Sequence, residues 1–82
     1  MDHFELNIVT PTETTTVMVE WVEVDSPTGS FLVCAGHSPL VSMIKNKSTL
    51  TYKAPNAQAV IYQVSSGLLQ VQATKTTVIL DT

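Results

Sequence analysis

The sequence contains one cysteine, no arginine and few charged residues of any kind. Charged side chains make up 13% of its 82 residues. A single cysteine excludes an internal disulfide, so nothing favours an oxidising compartment. The net charge of −3 argues against nucleic acid as a partner, because contacts with phosphates need Lys and Arg.

Long hydrophobic runs are also missing. No apolar stretch approaches the roughly 20 residues of a membrane-spanning helix. The chain does not open on a charged segment followed by an apolar one, so the sequence predicts no signal peptide. Its length leaves room for one small domain, residues 1–82. We expect a single domain that is cytosolic or peripheral to a larger assembly.

The residue types that carry catalysis are scarce as well. Cys34 and His37 are three residues apart, but Cys34 ends an apolar run, where a free cysteine usually packs as a small buried hydrophobe. A metal site would need more ligands, and His3 is remote while no carboxylate lies between residues 26 and 80. Glycine-rich phosphate loops are absent. We therefore predict no catalytic residue, no metal site and no cofactor or small-molecule ligand.

Hydrophobic residues are plentiful for so small a domain, at 44% of the chain. Either a partner covers part of the surface, or the abundant Thr, Ser, Gln and Asn solvate it. The few charges are unevenly placed, which predicts one acidic and one weakly basic region unless the asymmetry is chance. The residues concerned are Asp2, Glu5, Glu13, Glu20, Glu23 and Asp25 on the acidic side, and Lys45, Lys47, Lys53 and Lys75 on the basic side.

Short β-rich runs fill most of the chain. Phe4, Leu6 and Ile8 alternate with polar residues, as in a half-buried strand. The parity of the aliphatic residues changes across Glu20-Trp21, which predicts a bulge or a bend that carries the chain around a corner. The run Phe31–Cys34 is wholly apolar, which is consistent with a strand buried on both faces.

Turn residues separate these runs at intervals of about ten residues, and helical periodicity is absent. This pattern predicts an all-β fold, a flattened antiparallel β-sandwich or barrel of about ten short strands. The segment from Gly29 to Leu40 differs from the plain strands around it. Gly36 and Pro39 fix the backbone of a loop that presents His37, so we expect a docking element there.

Several segments of the sequence resemble the epsilon subunit of F-type ATP synthases, which is called delta in mitochondria. The resemblance is in order, spans essentially the whole chain, and is most specific at the Gly-His-x-Pro-Leu core. The resembling segments are Leu6–Pro11, Gly36–Leu40, Val64–Val71 and Thr77–Thr82.

The resemblance implies a ten-stranded β-sandwich that binds the gamma subunit and the c-ring and performs no chemistry. It implies a rotor subunit that couples proton or sodium flow to ATP synthesis, peripheral to the membrane on the cytoplasmic, matrix or stromal side. The family's helical hairpin would begin after Thr82, so the chain is either a naturally short member or one cut at the domain boundary. The implied interface residues are Ser30, Phe31, Gly36, His37, Ser38, Pro39 and Leu40.

The sequence also departs from the family pattern. Ser30 replaces an acidic residue that some members use against the c-ring, which removes a charge from that contact. Glycine is usual where Leu32 and Ser66 stand, Pro-Gly where Asn46-Lys47 stands, and Leu-Pro or Tyr-Pro where Cys34-Ala35 stands. These backbone positions must accept a side chain. A divergent paralogue and a free-standing β-sandwich binding module are the alternatives.

Overall fold

The computed structural model describes residues 3–81. Asp2 of the acidic group and Thr82 of the last resembling segment lie outside the described residues. Within residues 3–81 the chain forms no helix, and so none that is long and apolar enough to cross a membrane. It forms nine strands: β1 Phe4–Val9, β2 Thr14–Val19, β3 Trp21–Ser26, β4 Gly29–Cys34, β5 Leu40–Ile44, β6 Ser48–Lys53, β7 Val60–Val64, β8 Gly67–Val71 and β9 Lys75–Leu80.

The strands form two sheets. The five-stranded sheet has the order β2-β1-β9-β8-β5, and the four-stranded sheet has the order β4-β3-β6-β7. The predicted all-β sandwich is confirmed. It differs in detail, because the described residues contain nine strands and because β1 and β9 pair in parallel while all other pairs are antiparallel.

The core lies between the sheets and is built from alternate residues of each strand. In β1 the predicted alternation is confirmed, since Phe4, Leu6 and Ile8 are buried and the residues between them are half-buried. This is the pattern of a strand with one face in the core and one toward solvent. The largest fully buried side chains are Leu6, Ile8, Ile44, Leu50 and Leu69.

The predicted corner at Glu20-Trp21 is present. Strand β2 ends at Val19 in one sheet and β3 begins at Trp21 in the other, so Glu20 is the only residue between the two sheets. The amide of Glu20 donates a hydrogen bond to the carbonyl of Lys53 over 2.7 Å, which holds the bend. Trp21 is half-buried beside it.

The prediction that Phe31–Cys34 is buried on both faces is wrong. Strand β4 belongs to a sandwich of two sheets, so only one of its faces packs against the core and the side chains on the other face point to solvent. Only Val33 is buried, whereas Leu32 is 48% exposed and Cys34 is exposed. An apolar run therefore does not by itself show that both faces of a strand are buried.

The predicted separation of charge is also wrong. The Lys53 ammonium lies 3.1 Å from the Glu20 carboxylate. Glu5 and Lys75 are register partners on the neighbouring strands β1 and β9. The fold brings the two halves of the sequence together strand by strand, so residues of opposite charge that are remote in sequence become neighbours.

Candidate docking surface

Cys34 and His37, the two residues considered for thiol chemistry, lie in one turn at the end of β4. The amide of His37 donates to the carbonyl of Cys34 over 3.2 Å, which closes the turn after β4. The His37 ring directs Nδ1 to the carbonyl of Ser38 at 2.7 Å. Among residues 3–81, no three His, Cys, Asp or Glu side chains are grouped so that they could hold a metal ion.

The seven interface residues expected from the sequence fall into two groups at opposite ends of β4. Ser30 lies at the start of the strand, beside the turn at Pro27, and is exposed. The loop of Gly36, His37 and Ser38 follows the other end. Ser30 lies four positions before Cys34, the last residue of the strand, which is about 13 Å at 3.3 Å per residue. One partner surface would have to be at least this wide to contact both groups.

The members of this set differ in how far they reach solvent. Phe31 and Leu40 are half-buried and pack against the core, so their side chains position the loop residues and are only partly available to a partner. Ser38 and Pro39 are exposed, and His37 is half-buried. Gly36 has a φ of +82°, a left-handed conformation that favours glycine.

The surface around Ser30 is an open depression of about 370 Å³. Asp25 and Lys45 both line it, so it presents no uniform charge to a ligand. A second open depression, of about 390 Å³, lies beside it around Met43 and Ile44. Neither of these two depressions is lined by an aromatic side chain.

Sequence reasoning missed an apolar row across the outer face of the five-stranded sheet. Met43 on β5 is opposite Leu68 on β8, Leu68 is opposite Ile79 on β9, and Ile79 is opposite Val9 on β1. We call these four residues the outer apolar row. Met43 is 64% exposed and Ile79 is 47% exposed. Contiguous exposed apolar side chains of this kind mark interaction surfaces.

The row next to it carries no charge. Its members are opposite one another in register: Val41, Gln70, Thr77, Asn7 and Thr16. In the row after that, charged side chains return at Glu5 and Lys75. On the other side of the outer apolar row, Lys45 and Asp81 follow the ends of β5 and β9. The outer face of the five-stranded sheet is therefore apolar at its β5 side and uncharged over two rows across all five strands.

The other sheet offers no equivalent face. Its outer residues Leu32 and Ile61 are exposed, but Glu23 and Thr51 lie between them in the same row. A carboxylate in the middle of the row raises the cost of covering it with an apolar partner. The five-stranded sheet is accordingly the better candidate docking surface.

A signal for the outer apolar row was present in the sequence. Strands with one face toward water alternate apolar and polar residues, whereas strands covered on both faces contain neighbouring apolar residues. Such neighbours occur at Met43-Ile44, Leu68-Leu69 and Ile79-Leu80. What the sequence could not supply was the strand order, which places these three pairs side by side.

Chains in solved structures of two mitochondrial ATP synthases have a similar fold. One match is a chain of the Euglena gracilis enzyme, from a structure of its OSCP, F1 and c-ring parts, with a TM-score of 0.87 and 17% identity over 95% of this chain and 50% of that chain. Another is a chain of the Tetrahymena thermophila enzyme, from a structure of its central stalk and c-ring, with a TM-score of 0.81 and 10% identity over 99% of this chain and 65% of that chain.

The chain thus spans about half the length of the Euglena chain and 65% of the Tetrahymena chain. At these identities the likeness shows the fold alone. No curated protein is similar enough in sequence to be recognised as a relative. A family model, the β-sandwich domain of the ATP synthase delta/epsilon chain, matches residues 3–82. This match covers nearly the whole sequence, and the chain therefore belongs to the family of ATP synthase delta/epsilon β-sandwich domains.

Proposed function

We propose that this domain is a non-catalytic central-stalk subunit of an F-type ATP synthase that translocates protons or sodium ions. It docks on the gamma subunit and the c-ring and helps to couple ion flow to ATP synthesis. The observation that supports docking is the outer apolar row, set in an uncharged face on a domain of this family. Through the complex the domain is peripheral to the membrane, on the cytoplasmic, matrix or stromal side.

The dimensions of the domain agree with this proposal. A standard interface buries about 800 Å² on each partner. The domain has 4890 Å² of accessible surface, so one such interface would cover roughly a sixth of it. Five strands at about 4.8 Å spacing make a face about 20 Å wide, so an interface of this size would cover that face and extend beyond it.

The two groups at the ends of β4 supply further contacts in this proposal. The exposed residues Ser38 and Pro39 and the half-buried His37 form one polar contact with the rotor, and Ser30 forms another. Two separated contacts beside one broad face suit a subunit with two partners. Ser30 carries no charge, so its contact with the c-ring would rest on hydrogen bonds instead of an ion pair.

Co-purification tests the proposal. The tagged chain is expressed in its native cells, and the recovered complex is probed for gamma and c subunits. Ile79→Lys places a charge in the middle of the outer apolar row and should reduce their recovery at least tenfold. Ile61→Lys is the matched control, because Ile61 is 64% exposed on the outer face of the other sheet; it should leave recovery unchanged.

His37→Ala tests the loop in the same assay. Substitutions of such surface residues usually change stability by less than about 0.5 kcal/mol, so the fold should persist while recovery of the rotor subunits falls. A wild-type chain that recovers neither gamma nor c subunits would contradict the proposed function. Equal loss from Ile79→Lys and Ile61→Lys would contradict the proposed face.

A further inference from the structure

The edges of both sheets lack the devices that usually prevent edge-to-edge pairing. Natural edge strands carry lysine, proline or bulges that discourage a second strand from adding. Here the four edge strands β2, β4, β5 and β7 contain no charged residue and no proline. All charges within strands lie on central ones: Glu5, Glu23, Asp25, Lys53 and Lys75.

The same edges carry most of the exposed apolar surface. Of the eight large hydrophobic residues found exposed within residues 3–81, six are on edge strands: Met18, Leu32, Val41, Met43, Val60 and Ile61. Strand β5 contributes two of them, Val41 at 65% and Met43 at 64% exposure, both on the outer face. It also borders Leu68 in the outer apolar row, so β5 is the most apolar edge.

The free part of β5 has defined ends. Pro39 precedes the strand and has no amide hydrogen to donate. Lys45 follows it, and its amide already donates to the carbonyl of Asp25 over 2.6 Å. Between these two residues, β5 pairs with β8 on one side only within the described chain. The segment Leu40–Ile44 therefore has no second neighbouring strand within the described chain, although the Met43 carbonyl accepts a hydrogen bond from the Ser42 hydroxyl over 3.1 Å.

We propose that two copies of the chain pair through β5, antiparallel, about a two-fold axis at Ser42. This operation places Val41 opposite Met43 of the second copy on the outer face, and Leu40 opposite Ile44 on the inner face. Apolar residues thus meet apolar residues on both sides, and no charge meets a like charge. The two five-stranded sheets become one sheet of ten strands, and the interface is closed because each copy offers the same segment.

The other edges are less complementary to themselves. The same operation on β7 about Tyr62 would oppose Ile61 to Gln63, and on β2 about Thr16 it would oppose Met18 to Thr14. Among these three axes, only the one in β5 pairs an exposed apolar residue with another one. The inference concerns the free domain and does not depend on the proposed function.

Cysteine cross-linking tests the register. In a Cys34→Ser background, Ser42→Cys would put two cysteines directly opposite each other, with Cα atoms about 4.5–5.5 Å apart, which is within the range for a disulfide. Val41→Cys is the matched control, since Val41 is opposite Met43 and not itself. Mild oxidation should cross-link Ser42→Cys at least tenfold faster than Val41→Cys.

Light scattering over a range of concentrations tests the pairing without cysteines. The wild-type chain should change from monomer to dimer as its concentration rises. Met43→Lys places a charge on the β5 edge and should weaken the dimer at least tenfold. Met18→Lys places the same charge on β2, the other edge of the same sheet, and should not weaken it. Circular dichroism checks that each variant is folded. If Ser42→Cys does not fold, the comparison of Met43→Lys with Met18→Lys still tests the pairing.

Three results would overturn the inference. One is a wild-type chain that stays monomeric at every concentration. Another is a dimer weakened by Met18→Lys but not by Met43→Lys, which would place the contact on β2. The third is equal cross-linking of Ser42→Cys and Val41→Cys, which would indicate chance collisions in place of a fixed register.

Discussion

The Lys53 ammonium lies 3.1 Å from the Glu20 carboxylate, at the corner where the chain passes from one sheet to the other. The same two residues are joined by the hydrogen bond from the Glu20 amide to the Lys53 carbonyl. The corner is therefore held twice, once by side chains and once by the backbone. Both side chains remain partly exposed, at 18% for Glu20 and 32% for Lys53.

We predict that the ion pair contributes little to stability. Partly exposed pairs usually contribute about 0.2–1 kcal/mol and weaken as salt rises. Glu20→Gln, Lys53→Met and the double variant should give a coupling energy in this range by urea unfolding, and it should shrink in 1 M salt. A coupling energy of several kcal/mol that salt does not change would show that the pair, and not the backbone bond, holds the corner.

Gly67 begins β8 at a position that has no room for a side chain. A Cβ there would lie 2.8 Å from the Ile79 carbonyl oxygen and 2.9 Å from Leu80 Cδ2. Gly67→Ala should destabilise the domain by about 1–3 kcal/mol, as overpacking does, and lower the melting temperature by about 4–8 °C for each kcal/mol. Ser66→Ala is the control and should change it little. An unchanged melting temperature for Gly67→Ala would mean that β8 and β9 can separate without cost.

Ser66 and Gly67 show how much the sequence can predict. The family that the sequence resembles usually has two glycines at these positions. This chain keeps Gly67, where the carbonyl of Ile79 leaves no room for a Cβ, and has serine at position 66. Alternation in β1 and the corner at Glu20 were also readable, because both depend on neighbours in sequence. The exposure of Cys34 and the outer apolar row were not, because both depend on which strands lie at an edge and which lie side by side.

Lys47 adopts a φ of +56° in the turn between β5 and β6, where the resembling family usually has glycine. A left-handed conformation costs a residue with a Cβ about 1–2 kcal/mol, and glycine loses about 0.5–1 kcal/mol more chain entropy on folding. Lys47→Gly should therefore stabilise the domain by about 0.5–1 kcal/mol in urea unfolding. The hydrogen bond from its amide to the Ser65 carbonyl is kept.

Asn56 provides the comparison for Lys47. Its φ is +59°, but asparagine tolerates this region better than lysine does. Asn56→Gly should therefore gain less than Lys47→Gly, or nothing. If Lys47→Gly destabilised the domain, interactions of the lysine side chain would have to outweigh its backbone strain.

Tyr52 and Tyr62 lie on neighbouring strands with ring centroids 6.0 Å apart. Burial raises the pKa of Tyr52 above its ordinary value of 10.0, and the neighbouring Tyr62 phenol raises it further. The folded state thus favours the protonated phenol. This contribution to stability is complete below about pH 10 and is lost as the pH rises through the raised pKa.

Tyr52→Phe should therefore make unfolding less sensitive to alkaline pH. Urea unfolding at pH 8 to 11.5 should show a smaller loss of stability above pH 10 for Tyr52→Phe than for the wild-type chain, because phenylalanine has no proton to lose. Tyr62→Phe keeps the burial, which is the larger cause, and should retain most of the loss. If Tyr52→Phe and the wild-type chain lost stability in parallel, Tyr52 would ionise equally readily in the folded and unfolded states, and the prediction would be wrong.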